Sequence, residues 1–141
     1  MTASLIAVRD TAAAAIAAGV ASLGGRVFKG RQSPLMEDHL PAAAASIEDE
    51  RQSAASKSDT RVDFSLVLSV AIAGSGTVTD TEAAVDALLS AIWSAAGLDA
   101  DPGMGGLIFG ITTVTRERVA VPGGQRFLGR GWITVAAWTY I

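Results

Sequence analysis

From Arg61 to Ala73 the chain alternates without a break. Val62, Phe64, Leu66, Leu68, Val70 and Ile72 fall on one parity, and Arg61, Asp63, Ser65, Val67, Ser69 and Ala71 on the other. A period of two over this length dictates a long β-strand with one wholly apolar face. Such a strand is not stable alone; it requires partner strands on both sides and a covering layer over the apolar face. Gly74-Ser75-Gly76 ends it.

Two helices are available as that layer. In the stretch from Ser4 to Leu23, residues Leu5, Val8, Ala12, Ile16, Val20 and Leu23 recur at spacings of three and four, and Gly24-Gly25 stops the run. A second helix is expected from Thr79, where Thr79 and Glu82 form a capping-box pattern and Asp80 suits the positive end. Its buried face should be Val85, Leu88, Leu89, Ile92 and Ala96, with Gly97 closing it.

The remaining segments read as strands and connectors. Arg26-Val27-Phe28 is a short strand, Pro41 to Ile47 an extended one, Leu107 to Thr115 a strand of β-branched character, and Arg126 to Ile141 a long last strand. Glu48 to Thr60 has no hydrophobic period and is expected to be a mobile loop or a frayed hairpin tip. Asp99 to Gly106 and Pro122 to Gln125 are turns. The order α-β-β-β-α-β-β defines one α+β domain over residues 1–141. It has a mostly antiparallel sheet of about four or five strands, with both helices on one face.

Composition excludes several kinds of function. No cysteine and one histidine rule out disulfides, thiolate metal sites, a cysteine nucleophile and multi-histidine metal centres. His39 lies in the irregular Glu37-Asp38-His39 run with no nucleophile elbow anywhere, so a catalytic role is not expected. Glu48-Asp49-Glu50 lacks the alternate-position spacing of a calcium loop. Gly103-Met104-Gly105-Gly106 precedes a strand rather than a helix, so it does not cradle phosphate, and no P-loop occurs. The apolar content is 50%, largely alanine, yet no run approaches the roughly 20 apolar residues of a membrane span. No basic segment precedes Leu5, so a secretory signal is not expected either. An uncharged surface of this kind suits a chain covered by partners.

Two asymmetries indicate how. In the last strand, Phe127, Gly129, Gly131, Ile133, Val135 and Ile141 share one face, while Arg126, Leu128, Arg130, Trp132, Thr134, Trp138 and Tyr140 share the other. Aromatic residues with arginine mark interface cores. Residues 1–101 carry 13 acids and 7 bases, net −6, whereas residues 102–141 carry Arg116, Arg118, Arg126 and Arg130 against Glu117, net +3; together they give −3. Unlike patches on one chain suit head-to-tail contact between copies. The four arginines are expected to meet acids such as Glu37, Asp38, Asp63 or Glu48 of a neighbour, with Trp132, Trp138 and Tyr140 in the interface.

The motifs Val27-Phe28-Lys29-Gly30-Arg31 and Pro34-Leu35-Met36-Glu37-Asp38-His39-Leu40-Pro41-Ala42-Ala43-Ala44 are followed by a polar loop, the long alternating strand, a helix and C-terminal strands ending Trp138-Thr139-Tyr140-Ile141. This order resembles the phage tail terminator family, in the pattern of the lambda-type minor tail protein U. The chain departs from that pattern at Val119 to Gln125 and in its many helical alanines.

The resemblance implies a virion protein at the head-proximal end of a phage tail. There a homohexameric ring caps the tail tube, stops its growth and joins the head connector or neck protein. DNA would pass through the lumen without sequence readout, and Glu48, Asp49 and Glu50 are candidates to line it. No enzyme activity, cofactor or membrane is implied. Another neck or tail component, such as a head–tail joining protein or a tail-tube subunit, is the alternative.

Overall fold

The computed structural model describes residues 5–30, 40–54, 60–74, 76–99, 103–123 and 126–141, the side chain of Arg126 excepted. The Glu37-Asp38-His39 run, residues 55–59 of the expected loop and residues 124–125 of the expected turn lie outside the described residues. The elements are α1 (Leu5–Gly19), β1 (Val27–Lys29), β2 (Ala42–Ala54), β3 (Thr60–Ala73), α2 (Val78–Ala95), β4 (Gly110–Gly123) and β5 (Arg126–Tyr140). They form a five-stranded sheet in the order β1-β2-β3-β5-β4, with β1 parallel to β2 and every other pair antiparallel. This is the expected α+β arrangement in the expected order.

The alternating strand is the centre of the sheet. β3 pairs along its length with β2 on one side and β5 on the other. Its even-numbered residues, Val62 to Ile72, are all buried. The register sets Leu68 beside Ala45 and Ile133, and Leu66 beside Ile47 and Val135, so one apolar surface runs across three strands. Both helices cover that surface. α1 contributes Val8, Ala12 and Ile16, and α2 contributes Val85, Leu89 and Ile92, all buried in one cluster with the strands. Truncating a buried leucine such as Leu66 or Leu68 would cost about 2–5 kcal/mol, because transfer and cavity terms add.

Helix α1 is α-helical only to Gly19 and finishes through a 3-10 turn at Ala21–Leu23, with Gly24 left-handed at φ 56°. A Cβ on Gly19 would sit 2.9 Å from that of Ala95, so this glycine permits close approach of the two helices. Helix α2 begins earlier than the Thr79–Glu82 pattern suggested. Thr77 is the N-cap, and its hydroxyl accepts from the Asp80 amide at 3.2 Å. The Thr77 hydroxyl wins because the extended backbone there aims it at the third helical amide. At the other end Gly97 donates to Ser94 and Leu98 to Trp93, the paired bonds of a Schellman motif, with Gly97 at φ 74°.

Two strands are longer than the sequence reading. β2 continues through Glu48–Ala54, the stretch read as a loop, by pairing with Thr60–Asp63 past a bulge between Glu48 and Arg51. Asp49 takes φ 55° at that bulge. β4 runs on past Thr115 to Gly123 in register with β5. Backbone pairing holds both extensions, since their side chains are exposed at nearly every position.

On β5 the glycines set the helix distance. A Cβ at Gly131 would lie 2.5 Å from Val85 Cγ1 and 2.9 Å from Leu89 Cδ1, and one at Gly129 would lie 2.5 Å from Val85 Cγ2. Gly131→Ala should therefore destabilise the fold by about 1–3 kcal/mol through overpacking. Gly76→Ala, where a Cβ meets open space, should change stability by less than about 0.5 kcal/mol. Urea unfolding of both variants checks this, and equal midpoints would contradict the close α2–sheet contact.

Candidate functional site

With both helices on one side, the opposite sheet face carries no covering element among the described residues. The register places Glu48, Ser46 and Ala44 of β2 beside Ser65, Val67 and Ser69 of β3, and these beside Ala136, Thr134 and Trp132 of β5. Between Glu48 and Trp132 the centre of this face thus carries short side chains, several of them hydroxyl-bearing, and is flat. From Arg61 to Ala71 the β3 members of the face are half-buried, because neighbouring strands shield them; only Ala73 at the strand end is exposed.

At the end where β5 finishes, the face rises into an aromatic cluster. Trp138 stacks on Phe109 at 5.9 Å and meets Tyr140 edge-on at 5.5 Å, while Phe109 meets Tyr140 at 5.1 Å. The Arg61 guanidinium lies 4.5 Å over the Trp138 ring and pairs with Asp63 at 3.0 Å. The Asp63 bond raises the Arg61 pKa further above its ordinary value. A Cβ at Gly110 would collide with the Trp138 indole, so this glycine lets the β4 backbone pass the ring. Phe109 remains 55% exposed, a large apolar side chain facing water. Aromatic rings with an overlying arginine form the kind of surface that protein interfaces bury.

The β4 strand presents a second unusual surface. It borders the sheet, is 14 residues long and exposes Ile111, Val114, Val119 and Val121 at 37–41%. Long apolar edge strands are sites of further strand pairing unless they are blocked.

The sequence-expected interface residues divide between these surfaces. Trp132, Trp138 and Tyr140 share the open face, as their parity required, and Arg130 is exposed on the same face at the opposite end from the aromatics. Arg126 pairs through its backbone with Gly123. Arg116 and Arg118 point to the helix side instead, where an acid of their own chain meets them. Arg118 Nε donates to Asp86 Oδ1 at 2.7 Å, and Arg116 lies 3.7 Å from the same oxygen while donating to Ser90 Oγ. Asp63, one of the acids expected to meet a neighbour's arginine, is paired with Arg61. Asp49 and Glu50 stand exposed on β2, with Glu48 half-buried next to them.

Phe109 and Arg61 were missed as members of the aromatic group. The sequence pattern puts Phe109 in a strand from Leu107, whereas β4 starts only at Gly110 and leaves Phe109 in the connector before it; Arg61 looked like an ordinary polar position of β3. The signal was nonetheless present: Arg61 has the parity that faces Trp138 and Tyr140 across the pairing. Among the described residues no group of three or more His, Asp or Glu side chains could hold a metal ion. No described helix is long and apolar enough to cross a membrane.

No protein-family model matches the chain. No curated protein matches it either. Among solved structures, a chain from the virion of a native gene transfer agent particle shares this fold, with a TM-score of 0.55 and 19% sequence identity. The likeness covers 99% of this chain and 100% of that one. The fold, an open-faced sheet with both helices behind it, is therefore one that a virion component uses.

The Arg118–Asp86 bond ties β4 to α2 and has a pH signature. The hydrogen bond from Arg118 holds the Asp86 carboxyl below its ordinary value of 3.8, more than partial burial raises it. A depressed carboxylate adds stability that is present above the unfolded-state pKa and lost as pH falls through the folded one. Asp86→Asn should therefore lose less stability than the parent chain between about pH 5 and pH 2. Urea midpoints across that range check it; parallel curves would show that the pair contributes nothing.

Proposed function

We propose that this chain is a structural virion protein of a phage or phage-like particle. Its work is tail completion: copies form a ring that caps the tail tube, ends its polymerisation and provides the joint to the head connector. The observation that carries the reading is the end-to-end fold likeness to a chain of a gene transfer agent virion. The sequence supports it through the ordered motifs from Val27 to Ala44 and the aromatic C-terminal strand, which resemble tail terminators.

The physical design agrees with an assembled part. One sheet face builds the core, while the flat face, the aromatic end and the β4 edge are left for neighbours. In this reading the partners are further copies of the chain in a homohexamer, the tail-tube protein on one side of the ring, and a head-connector or neck protein on the other. DNA crosses the lumen without sequence readout. The protein performs no catalysis in this role and takes no cofactor.

Electron microscopy of the purified chain, alone and mixed with tail tubes lacking a cap, tests the proposal. Closed rings that bind one end of each tube are expected. Long tubes built from this chain alone would instead identify a tube subunit. A monomer that leaves tube ends bare would overturn the reading.

A further inference from the structure

The sheet has two free edges of unlike character. Strand β4 pairs with β5 on one side only, leaving Gly110–Gly123 open on the other. At the opposite border, β1 covers only Ala43–Ala45 of β2. Among the described residues no strand pairs with the outer side of Ser46–Ala54. We infer that these edges are the two halves of one interface: β4 of one copy pairs with Ser46–Ala54 of the next, so that a single sheet continues from subunit to subunit. The inference rests on the ring reading above and names the contact that would close it.

Strand direction permits it. β2 and β5 run the same way and β4 runs against them. Setting a second copy beside the first in the same orientation therefore places β4 antiparallel to the neighbour's β2. That is the ladder with straight hydrogen bonds. A two-fold pairing of β4 with itself is opposed by charge. Centred on Glu117, it would set Arg116 against Arg118 and Glu117 against Glu117, and like charges directly opposite destabilise a ladder. Two copies of the β2 edge would likewise bring the acids at 48–50 together. The mixed pairing instead sets the Arg116-Glu117-Arg118 run of one copy, whose two arginines share Asp86 of their own chain, near Glu48-Asp49-Glu50 of the other, so that unlike rather than like charges face each other.

The register follows from the same pairing. In a level continuation Arg116 lies at the height of Ala45, through Ile133 and Leu68. Bringing Arg116–Arg118 to the acids needs a stagger of roughly four residues, and strands in a closed sheet must tilt and stagger in this way. The helix-side residues of β4 then fall over a groove of about 250 Å³ beside the β2 edge, lined by Leu5, Ile6, Arg9, Ile47, Glu48 and Glu50. Ile6 is 62% exposed there, and with Leu5 and Ile47 it offers an apolar surface to Val114, while Glu48 and Glu50 beside Arg9 make a rim of mixed charge that the arginine stems can cross.

The absence of native cysteine makes the test direct. Thr113→Cys on β4 and Ser53→Cys on β2, both at exposed positions, are made singly and together and treated with a short bismaleimide linker after light scattering has given the assembly mass. The doubly substituted ring should yield a ladder of covalent oligomers on a denaturing gel, and each single variant only monomers. A ring that forms without a ladder would overturn this interface while leaving the ring reading intact. Covalent dimers from Thr113→Cys alone would show β4 meeting β4 and overturn it as well. A monomeric mass at every concentration would remove both readings together.

Discussion

The burial of one face of β3 is the constraint on which the rest of this molecule depends. Six apolar side chains on alternate residues must leave water, at about 25 cal/mol per Å² of apolar surface buried, and no other element contributes as many buried apolar side chains among the described residues. Burying them fixes the neighbours: β2 and β5 extend the apolar surface, and α1 and α2 close over it. The approach of α2 requires glycine at 129 and 131, where any side chain would run into Val85 and Leu89. The same choice leaves the other face without a layer. A two-layer fold with both helices on one side necessarily presents a bare sheet.

What covers that bare surface is the question on which function turns. Its centre is flat and small, one end carries three aromatic rings under an arginine, and one border is a long strand with exposed valines. A chain working alone would be expected to mask such features with charge. Here only 18% of residues are charged, and the arginines of β4 are turned back onto Asp86 of the same chain. Turning them back leaves the β4 edge open to pairing. In the proposed assembly these become the contacts, which would account for a chain that is 50% apolar although no described helix is long and apolar enough to cross a membrane.

Legibility in the sequence followed side-chain burial. Where a segment buries one face, its period showed it: β3, the α1 stripe and the parity of β5 were all readable from residue order. Where backbone pairing alone holds a segment, there was no period to read. Glu48–Ala54 is polar on both faces and β4 is exposed along its length, so neither announced its extent. The start of α2 was misplaced because Thr77 and Thr79 offer the same hydroxyl, and only backbone direction chooses between them. The open face was legible as Trp132, Trp138 and Tyr140. Its completion by Phe109 and Arg61 depended on a connector and a pairing register that no local pattern encodes.

The central claim is that one sheet face makes the fold and the other surfaces make the assembly. Amide hydrogen exchange, read strand by strand in the assembled protein and in dilute monomer, tests it most directly. Slow exchange of β3 in both states is expected, because its protection comes from within the chain. The outward amides of β4 should exchange fast in the monomer and slowly only after assembly. Fast exchange along β4 in the assembled state would contradict the account.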